Sequence, residues 1–299
     1  MLGTGASPGV TVVIPTFNHA HYLEECLKSL LAQTHRNWQA IVVDDCSSDY
    51  RALEPVLEKL ADERIRCVRH EQNRGLAASR NTGIRAAKTP YVFPLDADDK
   101  LAPRALELLV ATLEGDATLD CAYGDAVMFG RAKGVLVFPG PGPGRNVTSP
   151  HDTIPGAGTL MRKTLWTRMG GYDEADALRH GREDFEFWMR AFNQGCRSKR
   201  VAEPLYHYRH SHTSMNMACR REDHTVNQYI HDKHRGVFES PEHAREFLSS
   251  GYISASEASY QKGEQWRALR LAGQAFLMNP NRTGLRPLAK SCVPPELYG

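Results

Sequence analysis

The sequence predicts an α/β protein: a mostly parallel β-sheet flanked by helices, followed by a helical C-terminal extension. Three observations lead there. Short apolar, β-branched runs alternate with amphipathic helical patterns through the N-terminal third. Each of these runs ends in polar or acidic residues, as strands do at the ligand edge of an open α/β sheet. Beyond Tyr208 the character becomes mostly helical.

The first strand covers residues 10–15, a β-branched run closed by a proline. Leu23, Leu27, Leu30 and Leu31 then repeat at helical spacing over about 20–33. A strand at 40–43 runs into Asp44 and Asp45. A helix over 51–61, a strand at 65–68 and a helix over 77–87 follow, and the strand 91–95 leads into Asp96, Ala97, Asp98 and Asp99. After Pro103 a helix runs to about Glu114, with strands near 121–129 and 135–138. The alternating Pro-Gly stretch 139–144 excludes regular structure and reads as a surface loop. Helices are expected near 163–169 and 184–193, the second with Phe185, Trp188, Met189 and Phe192 on one face. Further on, Ala255, Tyr260, Gly263, Ala268, Ala272, Ala275, Asn279 and Pro280 resemble one tetratricopeptide-type hairpin. About three repeats are needed for an independent solenoid, so one hairpin is expected to dock on the larger domain.

Composition sets outer limits. The 299 residues are 41% hydrophobic and 24% charged, with a net charge of +2, which argues neither for nucleic-acid coating nor for an acidic partner. Seven cysteines without pairing or CxxC spacing favour reduced thiols and a cytoplasmic location, and give the sequons at Asn146 and Asn281 little weight. No signal peptide is visible, and no apolar stretch approaches the ~20 residues of a membrane helix. Basic residues gather late, at Lys262, Arg267, Arg270, Arg282, Arg286 and Lys290. Such a tail suits peripheral contact with the inner face of an anionic membrane; a solvated helical face is the plainer reading.

The polar residues after the strands form three clusters on one predicted edge: Thr16 with Asn18, Asp44 with Asp45, and Asp96 to Asp99. Carboxylates two apart after a strand point the same way and can share one hard divalent cation, Mg²⁺ or Mn²⁺. Such a cation would neutralise charge on a departing diphosphate. An Asp-rich turn is the alternative, and the two companion clusters favour the metal. Gly3-x-Gly5 precedes any strand and is no dinucleotide fingerprint. No GxSxG elbow supports serine hydrolysis.

Distributed over residues 10–215, in order, stand VIPTFN (13–18), SLLAQT (29–34), VVDDCSSD (42–49), NRGLAASRN (73–81), DADD (96–99), GGYDE (170–174), EDF (183–185) and YR (208–209). Taken together they resemble the family 2 glycosyltransferases of GT-A, Rossmann-like fold. The resemblance implies a GT-A domain over 8–215 and a helical extension over 216–299. It implies inverting transfer of a hexose-type residue from a nucleotide-sugar, UDP above GDP or TDP, to a carbohydrate or lipid-linked acceptor in cell-surface polysaccharide or glycoconjugate synthesis. Pro15, Thr16 and Asn18 would line the base and ribose pocket. Asp45, preceded by Asp44, would accept from the uracil ring. Asn73, Arg74 and Arg80 would meet base or diphosphate, Asp96 and Ala97 the ribose or sugar, and Asp98 the metal. Asp184, before Glu183, would be the base that deprotonates the acceptor hydroxyl. Both could instead merely complement a helix dipole. Residues 158–160 and Arg162 match a segment facing the acceptor. The segment 206–214 resembles one that closes over the donor and gives a histidine to the metal; the usual spacing falls on Ser211, which leaves His210, narrowly ahead of His212. A separate zinc site at His207, His210 and His212 lacks a cysteine or carboxylate partner at suitable spacing. A sugar nucleotidyltransferase would begin with a glycine-rich basic loop, which residues 15–18 lack. A non-catalytic scaffold would not need Asp98 and Asp184.

Overall fold

The computed structural model describes residues 8–141, 147–148, 153–179, 181–210 and 220–280 of the chain. It contains two compact units, one of Met1–Glu174 with Glu183–Ser211, the other of Ala175–Arg182 with His212–Gly299.

In the first unit, β1 (Val10–Thr16), β2 (Trp38–Asp44), β3 (Ile65–Arg69) and β4 (Tyr91–Pro94) run parallel in the order β3-β2-β1-β4. Both faces of the central strands are covered, so β1 is buried at every residue and reads as an unbroken apolar run. The crossovers are α1 (Ala20–Leu31), α2 (Tyr50–Leu60) and α3 (Leu76–Ala86). Leu23, Leu27 and Leu30 of α1 and Leu53 of α2 enter the core on one face. Ala77 and Ile84 of α3 join Val13, Ile41 and Val43 on the other. Here α3 comes very close to β1: a Cβ on Gly83 would lie 2.3 Å from Val13 Cγ1. Arg80, one turn earlier on the same helix face, is thereby carried into the interior, where it is 2% exposed.

Beyond β4 the sheet is mixed. Strand β8 (Thr159–Arg162) lies antiparallel between β4 and β6 (Cys121–Gly130). On the far side β6 pairs parallel with β9 (Ser198–His210), which pairs antiparallel with β5 (Lys100–Leu101). The hairpin strand β7 (Gly134–Leu136) completes the set. Helix α4 (Ala105–Gly115) joins the first core layer, and α5 (Lys163–Arg168) and α6 (Glu183–Asn193) the second. The expected parallel sheet thus holds for β3-β2-β1-β4 and gives way to mixed pairing beyond. Strands β5, β8 and β9 are additions to the sequence reading. Strand β9 is rich in charge and contains Pro204, which sits where the β6–β9 register shifts beside Asp125, a place that tolerates a residue without N–H.

The second unit holds α7 (Asp223–Lys233), α8 (Pro241–Gln261) and α9 (Gln265–Met278). Ser240 caps α8 by accepting from His243 N at 3.1 Å, with Pro241 at the first helical position. Gly251 lets α7 pass close, since a Cβ there would lie 2.7 Å from Asp223 O. Asp223, 1% exposed, is ion-paired with Arg182 at 2.7 Å and also accepts from Ser254 Oγ. No described helix is long and apolar enough to cross a membrane. Among the described cysteines, Cys26, Cys46, Cys67, Cys121 and Cys196 are free. The Pro-Gly loop beyond Pro141, the sequon asparagines Asn146 and Asn281, His212, Cys219, Cys292, and Arg282, Arg286 and Lys290 of the basic tail lie outside the described residues.

Candidate active site

At the carboxyl ends of β1 and β2 two loops are stitched together. Asn18, in the left-handed region at φ 57°, accepts from Ser48 N and Ser48 Oγ at 2.8 and 2.9 Å, and Asn18 N donates to Ser47 Oγ. An Asn at this φ costs less than most side chains. Asp44 is fully buried, accepts from Ser47 N and pairs with Arg69 at 3.2 Å. Asp45 was expected to face a base. Its carboxylate accepts from Arg74 N at 2.8 Å, Gly75 N at 2.7 Å and His70 Nδ1 at 2.7 Å, tying β2 to the start of α3. Asn73 donates to Asp45 O at 3.2 Å, and Arg74 reaches Glu174 at 3.1 Å. Pro15 is buried within β1, and the buried Thr16 hydroxyl has no protein partner. Beside it Phe17 is 47% exposed, an unusual placement for an aromatic ring at a strand end.

The acidic turn after β4 is the second element. Asp99 N donates to Asp96 O at 3.0 Å, closing the turn. Asp96 accepts from Arg80 Nη2 at 2.9 Å, while Asp99 accepts from Tyr206 Oη at 2.7 Å. Ala97 is buried between them. Burial raises the Asp98 carboxyl above its ordinary value and the neighbouring Asp96 charge adds to this; His19 and Arg209 oppose it. Asp99 is pushed up to about 8 by burial and by Asp96 and Asp98. Carboxylates crowded on one turn, where burial and mutual repulsion outweigh the pull of the nearby cations on Asp98, suit a divalent cation. No three His, Cys, Asp or Glu side chains that could hold one are gathered among the described residues. A carboxylate donor such as Asp98 fits a hard divalent cation of the Mg²⁺ or Mn²⁺ kind. His210 ends β9 opposite Gly130, its Nδ1 buried without a partner.

The third element is the start of α6. Arg80 Nη1 donates to Glu183 Oε1 at 2.5 Å, so one buried guanidinium holds both Asp96 and Glu183. Arg80, expected from the sequence near base or diphosphate, is here engaged by two carboxylates. Burial pushes Glu183 up to about 7 against the pull of Arg80. Asp184 is more open: Oδ1 accepts from Phe185 N at 2.7 Å, and Oδ2 faces Gly156, where a Cβ would lie only 1.9 Å away. Arg162, expected near the acceptor, stands at the opposite end of β8, opposite Tyr91, donating to Leu113 O and Leu119 O. Phe17, Gly156 and Tyr206 were not singled out from the sequence. Only Phe17 carried a readable signal, an aromatic between Thr16 and Asn18.

The profile of glycosyl transferase family 2 matches residues 11–163, and a profile described as the N-terminal domain of galactosyltransferase matches 145–214. The chain belongs to glycosyl transferase family 2. One relative of this glycosyltransferase, a putative glycosyltransferase EpsE of Bacillus subtilis, is 30% identical over 212 residues, 68% of this chain and 74% of that one. In fold it is similar to Staphylococcus aureus TarS residues 1–349 solved in complex with UDP-GlcNAc (TM-score 0.65, 18% identity, covering 95% of this chain and 88% of that one). It is also similar to the Pyrobaculum calidifontis mannosyltransferase PcManGT in complex with GDP-Man and Mn²⁺ (TM-score 0.62, 21% identity, covering 95% and 85%). The GT-A expectation for the fold agrees with both.

Proposed function

We propose that this glycosyltransferase transfers a sugar from a UDP-sugar to a carbohydrate or lipid-linked acceptor, with inversion, in the building of a surface polysaccharide or glycoconjugate. The observation that carries the reading is Arg80 gripping Asp96 and Glu183, which sets the start of α6 beside the acidic turn. Phe17 would stack on the base, and the unpartnered Thr16 hydroxyl would meet the nucleoside. Asn18, Asp45 and Asn73 would shape this pocket through the loops they join, with Arg74 at its mouth. A divalent metal held by Asp98 would stabilise charge on the departing diphosphate. Asp184 would take the proton from the acceptor hydroxyl as it attacks the anomeric carbon. Glu183, buried and ion-paired, would position the helix and leave the proton transfer to Asp184. The TarS complex with UDP-GlcNAc supports the UDP-sugar donor, and the PcManGT complex supports the metal.

The test is transfer and donor hydrolysis with Mn²⁺, comparing the wild type with Asp98→Ala and Asp184→Asn. Loss in both variants is expected, and equal activity in all three defeats the mechanism. The second unit would also touch an anionic membrane, and its α8–α9 pair would form a tetratricopeptide-type hairpin. Failure to float with anionic liposomes removes the membrane contact.

A further inference from the structure

The acidic turn has three carboxylates with different surroundings. Asp96 is held by Arg80. Asp99 is turned away from that guanidinium toward β9 and is 1% exposed. Its Oδ2 accepts from Tyr206 Oη at 2.7 Å and its Oδ1 from Arg209 N at 2.6 Å. The same strand grips the turn twice more: Tyr206 Oη accepts from Asp96 N at 3.3 Å, and Arg209 Nε donates to Asp98 O at 2.7 Å. The Arg209 guanidinium is itself fixed, lying 4.6 Å from the Tyr22 ring centre and 4.3 Å from that of Phe129, with Glu25 as ion partner. Tyr206 is confined from behind, because Gly158 lies so near that a Cβ would come within 2.6 Å of its ring.

We infer that Asp99 and Tyr206 form a lock that fixes the acidic turn on β9 and so aims Asp98, and that Asp99 is a positioning residue and not a metal ligand. The inference rests on the reading of Asp98 as the metal-binding carboxylate. Physically, a one-point ligand binds well only if its backbone cannot swing, and partners behind a ligand commonly tune metal affinity by 10–100-fold. The lock provides what a turn of four residues cannot supply alone.

The test is Mn²⁺ binding in the presence of UDP, followed through the electron-spin-resonance signal of free Mn²⁺, with melting temperatures without metal as the fold control. Tyr206→Phe keeps the ring and deletes both hydroxyl contacts, and should weaken Mn²⁺ binding roughly tenfold. Asp99→Asn can still accept from Arg209 N while its amide donates to the Tyr206 oxygen, so it should bind Mn²⁺ within about threefold of wild type, whereas Asp99→Ala should fall with Tyr206→Phe. Asp98→Asn should lose binding altogether. If Asp99→Asn loses binding as fully as Asp98→Asn, Asp99 is a ligand and the lock is wrong. If Tyr206→Phe and Asp99→Ala both bind normally while Asp98→Asn does not, the lock alone fails. Should Asp98→Asn bind normally, the metal reading fails and takes the inference with it.

Discussion

Replacing Arg80 by methionine is the sharpest perturbation available. The guanidinium is 2% exposed and makes ion pairs of 2.5 and 2.9 Å with Glu183 and Asp96. The Glu183 side chain is 3% exposed and that of Asp96 32%, so the loss falls mainly on Glu183, stranded in the interior. Breaking a buried pair from one side costs about 3–5 kcal/mol. Glu183 has an escape, however, because burial already holds its carboxyl up at about 7 and removal of the cation lifts it further. A carboxyl whose folded value lies above its unfolded one favours the folded state at low pH and loses that contribution as pH rises through the folded value. The destabilisation by Arg80→Met should therefore be small at pH 6 and approach the full figure above pH 8. Glu183→Gln removes the trapped charge, so Arg80→Met with Glu183→Gln should cost less than the sum of the single changes by about 2 kcal/mol. Urea unfolding of the four proteins at pH 6 and pH 8 measures this. Additive, pH-independent losses would refute the reasoning.

Gly156→Ala places a methyl within 1.9 Å of Asp184 Oδ2 and must displace it; kcat should fall about 100-fold while the melting temperature stays within a few degrees, as transfer assays and calorimetry would show. Phe17→Ala should raise the donor KM with kcat little changed, by the ~1–3 kcal/mol of one base–ring contact, and an unchanged KM would place the base elsewhere. Chelation should abolish transfer, with Mn²⁺ restoring it, and Mn²⁺ with UDP should raise the melting temperature of the wild type but not of Asp98→Asn, because binding to the folded state alone stabilises it.

Much of the first unit was legible because β1, β2 and β4 are covered on both sides and show it as continuous apolar runs. Strand β8 is buried at Thr159, Leu160 and Met161 but escaped because it is only four residues long with just two apolar ones, and β9 because it has mostly partly exposed or exposed residues and is defined by its partner β6. The positions of Asp98 after a strand and of Asp184 at a helix start were readable, and both stand there. What could not be read was which polar groups already have partners. Asp45 accepts from His70, Arg74 and Gly75, and Arg80 pairs with a glutamate 103 positions away. The first depends on how the segment before α3 meets the end of β2 and the second on how α3 and α6 are brought together, and no local pattern encodes them.

Strand β9 also bears on how the protein is made. Lys100 pairs with His207, and Cys121 with Ser198, so the short strand after the acidic turn and one long edge of β6 await a segment synthesised much later. The βαβ units from β1 to β4 can assemble as they leave the ribosome, whereas β6 until then presents an open row of backbone donors and acceptors. A chain interrupted before residue 198 would keep a formed N-terminal half with an adhesive edge, and its aggregation would begin at β6.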